Sequence, residues 1–146
     1  MRMNRFMPLW ILFSIFSAVF AALVAILGKI GIANIDTTLA TTVRAVVMAL
    51  FLVFVSLALG KGSFLSAIGS KPLLFIVLSG IAGALSWLFY FFALKIGPAS
   101  AVAALDRLSV VFVLIFALLF LGEQFTLKSG LGALFVTIGA ILMVLK

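Results

Sequence analysis

Residues 8–27 read PLWILFSIFSAVFAALVAIL, a stretch without a charge in which Ser14 and Ser17 are the only polar side chains. A helix needs about 20 mostly apolar residues to cross a hydrocarbon core of about 30 Å, and this run has that length. Arg2 and Arg5 precede it as they would precede a secretion signal. The apolar run is longer than a signal core, however, and reads as a first transmembrane helix. Four further runs of the same kind occupy about 38–59, 72–94, 99–121 and 127–145. The expected fold class is an all-α membrane protein, a five-transmembrane-helix bundle in which residues 1–146 form a single domain.

Composition agrees with that reading. Of 146 residues, 67% are hydrophobic and 9% are charged, where soluble domains carry roughly half apolar and a quarter charged residues. Five spans and their turns leave no room for a second, water-facing domain. Cysteine and histidine are both absent, which removes disulfides, thiol nucleophiles, imidazole bases and the usual zinc ligands. No metal site, cofactor or enzyme activity is therefore expected. The net charge of +7 comes from ten basic residues placed singly, mostly beside apolar runs. They form no stripe that would suit nucleic acid, so the lipid bilayer is the expected surrounding.

The turns between the runs are short. Asn34, Asp36 and Thr37 offer caps for the second helix, Lys71-Pro72 opens the third, and Gly97-Pro98 opens the fourth with proline where its missing donor does no harm. Short connections make consecutive helices antiparallel neighbours and put the two termini on opposite sides of the membrane. With the N-terminus inside, Arg2, Arg5, Lys61, Lys71 and Lys128 lie on the cytoplasmic side and Lys29, Lys95 and Lys146 on the other. Adding Arg44 and Arg107 to the outer side evens the count. Orientation is thus weakly specified, and insertion in both directions is compatible with the charges.

Charged groups deep in a span cost at least about 2.5 to 3.5 kcal/mol each and need a partner or a watery cavity. Three qualify: Arg44, Asp106 and Arg107. Arg44 and Asp106 each lie about 9 to 11 Å below the start of their helices, by the helical rise. Those helices begin on the side where the third helix ends with Trp87 and Tyr90. The register therefore predicts one layer holding Arg44, Trp87, Tyr90, Asp106 and Arg107. On the third helix Ser79, Gly83, Ser86, Trp87 and Tyr90 fall at offsets of three and four, a face of small residues and amphipathic aromatics suited to close packing below and a polar cleft above. Two readings stand side by side. In one, Arg44 and Asp106 form an interhelical ion pair, Trp87 and Tyr90 sit in the interfacial belt and Arg107 reaches the headgroups. In the other, the layer carries a net positive charge and binds an anionic small molecule. Gly122 and Glu123 form the turn before the last helix, where the carboxylate is expected to offset the helix dipole beside Lys128, the less favoured alternative being direct contact with a substrate. Gly132, Val136, Gly139, Ala140 and Met143 form a close-packing seam along that helix, suited to a neighbouring helix or a second subunit.

The segments Gly97-Pro98-Ala99-Ser100, Asp106-Arg107-Leu108-Ser109-Val110-Val111 and Phe120-Leu121-Gly122-Glu123-Gln124-Phe125-Thr126 resemble the closing half of an EamA domain. Gly130, Gly132 and Gly139 are similar to that family's glycine-rich last helix, and Gly28-Lys29-Ile30-Gly31 and Ser86-Trp87-Leu88-Phe89-Tyr90 extend the likeness over the whole chain. The resemblance implies a member of the drug/metabolite transporter superfamily, an exporter of small metabolites or drugs in the inner (cytoplasmic) membrane. Most such proteins hold two five-helix units of opposite topology, so this chain resembles one half of a ten-helix inverted repeat. An antiparallel homodimer or a paired five-helix protein would supply the other half. The small multidrug resistance proteins of the superfamily couple to protons through an acid in their first helix. This first helix has no acid, which leaves Asp106 as the candidate. A lipid-linked carrier flippase and a non-transporting membrane subunit are the alternative functions.

Overall fold

The computed structural model describes residues 8–62 and 68–145; Arg2, Arg5 and Lys146 of the charge tally lie outside the described residues. Among the described residues the regular structure is helical throughout. The elements are α1 (Leu9–Gly31), α2 (Thr37–Ala58), α3 (Ser70–Ile96), α4 (Ala99–Asp106), α5 (Ser109–Phe116), a π-helical segment (Ala117–Leu121) and α6 (Leu127–Leu142). Four stretches are long and apolar enough to cross a membrane: α1, α2, α3 and the run Ala99–Leu121. The large apolar side chains on them, such as Phe20, Phe54 and Phe89, are exposed. In water that surface would oppose folding, whereas lipid tails solvate it without cost. The protein is a multi-pass membrane protein.

Two expected elements need correction. The fourth span is not one uninterrupted helix. Arg107 N–H donates to Ala104 O at 3.1 Å, Leu108 N–H to Leu105 O at 2.9 Å and Val110 N–H to Arg107 O at 3.1 Å. These are i→i−3 bonds, so the helix tightens by a 3₁₀ step at Asp106–Leu108 and then loosens into the π segment. Nothing in the composition of this stretch announces that change, because it contains no proline or glycine. The fifth span is also shorter than expected, since α6 is regular over 16 residues, about 24 Å at the helical rise. Met143 and Leu145 N–H continue with i→i−4 bonds to Gly139 and Ile141, while Val144 N–H bonds to Ile141 by i→i−3. The last turn therefore frays where the sequence pattern alone suggested regular helix.

Helix ends follow local chemistry. Asp36 caps α2 by accepting from Leu39 N–H at 2.9 Å. At the other end of α2, Gly60 takes φ 67°, with Lys61 N–H on Ser56 O and Gly60 N–H on Leu57 O, both at 2.9 Å. This is a Schellman ending, in which glycine avoids the left-handed penalty. Gly122 ends the π segment at φ 66°, and Glu123 N–H reaches back six residues to Ala117 O at 3.2 Å, one residue further than an α-helical ending needs. Thr126 and Ser129 form a capping box at the start of α6. A Cβ on Gly130 would meet the Phe125 ring, so the residue before the cap folds over the first turn of α6.

The chain forms two compact units, one within residues 31–96 and one combining residues up to 30 with those from 97 onward. In the first, α2 packs against α3. Ile32 and Leu94 are its fully enclosed large side chains, at 1% and 0% exposure. Lys95 Nζ donates to the carbonyls of Ile32, Ala33 and Ile35 at 2.6, 2.9 and 3.2 Å. The ammonium thus gathers the carbonyls left open where α1 ends and ties that turn to the end of α3. Lys95→Met is expected to lower stability by about 1 to 2 kcal/mol, the worth of a charge-assisted hydrogen bond reduced for partial exposure; thermal unfolding in detergent measures it.

In the second unit α4 and α5 both pack on α6. Among its described residues the buried ones are all alanines, namely Ala25, Ala117, Ala133 and Ala140, as expected where backbones approach closely without a hydrophobic driving force. On α6 the buried stripe is Ala133–Ala140. A Cβ at Gly132 or Gly139 would meet nothing within 4 Å. Of the expected seam, Ala140 is buried within this unit, whereas Gly132 and Gly139 face open space. Lys29 Nζ donates to Gly97 O at 2.8 Å and so ties the end of α1 to the turn before α4.

Candidate functional site

Arg44 lies about two turns into α2, on the side facing α3, and is half-buried. Its guanidinium carbon stands 3.6 Å from the centroid of the Trp87 ring and 5.5 Å from that of Phe91. Trp87, Tyr90 and Phe91 form an aromatic cluster at offsets of three and four along α3. Trp87 meets Tyr90 edge-on at 5.5 Å and 79°, and Phe91 at 6.0 Å. A cation stacked on indole gains from about 0.5 kcal/mol when exposed to about 2 kcal/mol when desolvated. That offsets part of the cost of holding a charge at this depth. Stacking also fixes the plane of the guanidinium while leaving its N–H edge open, and that edge matches a carboxylate or phosphate two bonds at a time.

Within residues 31–96 the only carboxylate in the sequence is Asp36, and it is engaged as the α2 cap. Arg44 therefore has no acid to neutralise it inside its own unit. Beside it opens a cavity of about 840 Å³ between α2 and α3. From α2 it is lined by Thr38, Thr41, Thr42, Arg44, Ala45, Met48, Ala49 and Leu52, and from α3 by residues between Gly80 and Leu88. Thr41 and Thr42 hydroxyls donate to Thr37 O and Thr38 O at 2.8 and 2.9 Å, so their donors are spent within the helix.

Of the residues singled out from sequence, the structure brings Arg44, Trp87 and Tyr90 together, and Gly83 joins Trp87 in the cavity wall. The expected face of Ser79, Gly83, Ser86, Trp87 and Tyr90 lines the cavity only in part, through Gly83 and Trp87. Ser79, Ser86 and Tyr90 are not in the wall, whereas Gly80 and Ala84 are. The lining stripe is rotated by about one residue, 100° on a helix, and is mainly apolar. Phe91 was missed, although it stands four residues after Trp87 and so shares its face. Gly80 was missed as well.

Asp106 and Arg107 belong to the other unit. Both are exposed, and they stand where α4 gives way to α5. Val110 N–H turns to Arg107 O and so leaves the Asp106 carbonyl without its ordinary i+4 partner. Pro98 is the residue before α4 rather than its first member, with φ −65° and ψ 137°, and Gly97 supplies the carbonyl that Lys29 binds. Glu123 is exposed in the turn after Gly122, and the cap of α6 is made by Thr126 and Ser129.

Comparison with known proteins places this geometry in context. The sequence model of the EamA-like transporter family matches residues 8–145. A curated protein from Sinorhizobium sp., named "Uncharacterized transporter in cobO 3'region", is 44% identical over 134 residues, covering 92% of this chain and 95% of that protein. No solved structure matches significantly.

Proposed function

Because the chain belongs to the EamA-like transporter family, we propose that it is a secondary transporter, exporting small metabolites or drugs across the cytoplasmic membrane. The family points to transport rather than catalysis. The observation that carries the finer reading is the Arg44 guanidinium stacked at 3.6 Å on Trp87 at the edge of a cavity within the α2–α3 pair. A fixed cation whose unit holds a single acid, Asp36, already engaged as the α2 cap, suits an anionic group on the substrate. Trp87 and Phe91 hold the guanidinium in place, and Tyr90 packs edge-on against Trp87. Asp106 and Arg107, at the broken fourth span, serve coupling. Discontinuous spans in secondary transporters place unwound backbone and half-helix ends at ion sites, and an acid at such a break is suited to exchange a proton.

The working unit in this proposal is an antiparallel dimer of ten helices, with either a second copy or a paired five-helix protein. Two observations support it. The charge balance specifies neither orientation, and the Gly132–Gly139 side of α6 has open space where a neighbouring backbone would fit. Reporters fused before Met1 and after Lys146 test this directly. Each fusion is expected to give signal on both sides of the membrane. A single orientation would sink the antiparallel homodimer and leave a partner of opposite topology. Transport itself is tested by saturable uptake of organic anions into vesicles reconstituted with the protein, and a null result across anions of all sizes would overturn it.

A further inference from the structure

We propose that the α2–α3 cavity takes an amphiphilic organic anion, with its carboxylate or phosphate on Arg44 and an apolar tail along the groove toward Leu52. The proposal rests on the reading of Arg44 as the anion-binding residue and adds the chemical class of the substrate. Among the described residues, Arg44 is the only charged one in the cavity wall. From Arg44 to Leu52 the α2 wall consists of Ala45, Met48, Ala49 and Leu52, about 12 Å of helix with no side-chain hydrogen-bonding group. The facing α3 wall around Gly80, Ile81 and Leu85 offers none either. A solute bearing hydroxyls or amides along its length would give up its water there without replacement, at a cost of a factor of ten or more in affinity for each buried group.

The head end is equally selective. Thr41 and Thr42 have committed their hydroxyl hydrogens to backbone carbonyls, so Arg44 is the charged donor of the head end, with Thr38 and Trp87 beside it in the wall. A Cβ at Gly80 or Gly83 would meet nothing within 4 Å. The glycines thus keep the floor of the groove open for a tail, where larger residues would fill it. A short hydrophilic anion would use Arg44 and leave the groove empty. An alkyl cation would use the groove and be repelled at its end. The combination fits a molecule with one anionic head and one apolar tail.

The test uses the full chain in nanodiscs of zwitterionic lipid, labelled by dodecanoate carrying a diazirine in its tail. Competitors are unlabelled dodecanoate, dodecyltrimethylammonium and propionate. The proposal expects label between Ala45 and Leu52 or between Gly80 and Leu85, removed by dodecanoate and unaffected by dodecyltrimethylammonium. Arg44→Gln should weaken dodecanoate about tenfold to a hundredfold, the loss of a charge-assisted contact. Arg44→Lys should weaken it less, which keeps the test valid if the glutamine variant fails to fold. Ala49→Trp should abolish tail labelling while propionate still binds in an Arg44-dependent way.

Three results would overturn the inference. Propionate competing as well as dodecanoate would remove the tail and leave the Arg44 anion site intact. Equal competition by dodecyltrimethylammonium would make the groove a lipid-facing surface. No protection by any anion would remove the Arg44 reading along with the tail. The sequence has no native cysteine, so Met48→Cys provides a check on a rival occupant: a disulfide between two copies through that residue, replacing the label, would mean that a second copy fills the groove.

Discussion

Arg44→Gln is expected to bring substrate uptake into reconstituted vesicles down by about a hundredfold while leaving thermal stability unchanged or slightly raised. Opposing effects decide the sign of the stability change. The substitution forfeits the stack on Trp87, worth about 0.5 to 2 kcal/mol at this half-buried position. It also relieves a charge whose insertion costs at least about 2.5 to 3.5 kcal/mol. The balance is a gain of about 1 kcal/mol, reduced by whatever water reaches the half-buried guanidinium. Loss of function with retained stability is what a binding residue predicts, since a charge held against such a cost is retained for what it contacts. A structural arginine would give the reverse, with uptake falling only as far as the folded fraction falls. Uptake rates and unfolding midpoints of the same preparations separate the two, and Arg44→Lys sharpens the comparison. Lysine keeps the charge but loses the planar fork and the stack, so it should retain a measurable part of the uptake with weaker apparent affinity.

The spans themselves were legible because lipid imposes a length and a polarity that composition displays directly. Residues 8–27, 38–59 and 72–94 each became helices with ends moved by a few residues. Asp36 as a cap was readable for the same reason, since its side chain acts on a donor three residues away. What the pattern misjudged depended on angles or on distant partners. Offsets of three and four put Ser79, Gly83, Ser86, Trp87 and Tyr90 on one face of α3. The wall of the cavity keeps Gly83 and Trp87 of that face but takes Gly80 and Ala84 in place of Ser79, Ser86 and Tyr90, so its centre lies about one residue around the helix. Lys29 and Lys95 were counted as orientation charges, and nothing local shows that they bind carbonyls more than 60 residues away in sequence. The break at Asp106–Leu108 was invisible because Leu, Ser, Arg and Asp are all tolerated in helices, and a 3₁₀ step changes hydrogen bonding without a change in residue type.

That break leads to the second large effect, at Asp106. Asp106→Asn is expected to reduce uptake driven by a proton gradient to the level of empty vesicles, while exchange of labelled for unlabelled substrate at equal pH persists. The carboxylate stands at the last residue of α4, next to Arg107, in a span whose other polar side chains are Ser100 and Ser109. Asparagine has nearly the same shape and keeps one carbonyl oxygen, so the 3₁₀ bonds from Arg107, Leu108 and Val110 N–H, which are all backbone bonds, have no reason to change. Helix content and monodispersity should match the parent protein, and stability should not fall, because a charged group has left the membrane interior. What disappears is the ability to take up and release a proton. Alternating access needs the site to open to either side, and exchange requires only that movement together with bound substrate. If Asp106→Asn lost exchange as well as gradient-driven uptake, the acid would belong to substrate binding or to the movement itself. If neither changed, the coupling would have to lie outside this residue. A coupling role requires gradient-driven uptake to fail while exchange survives, and Ser109→Ala, one turn along the same span and with no proton to exchange near neutral pH, should leave both intact.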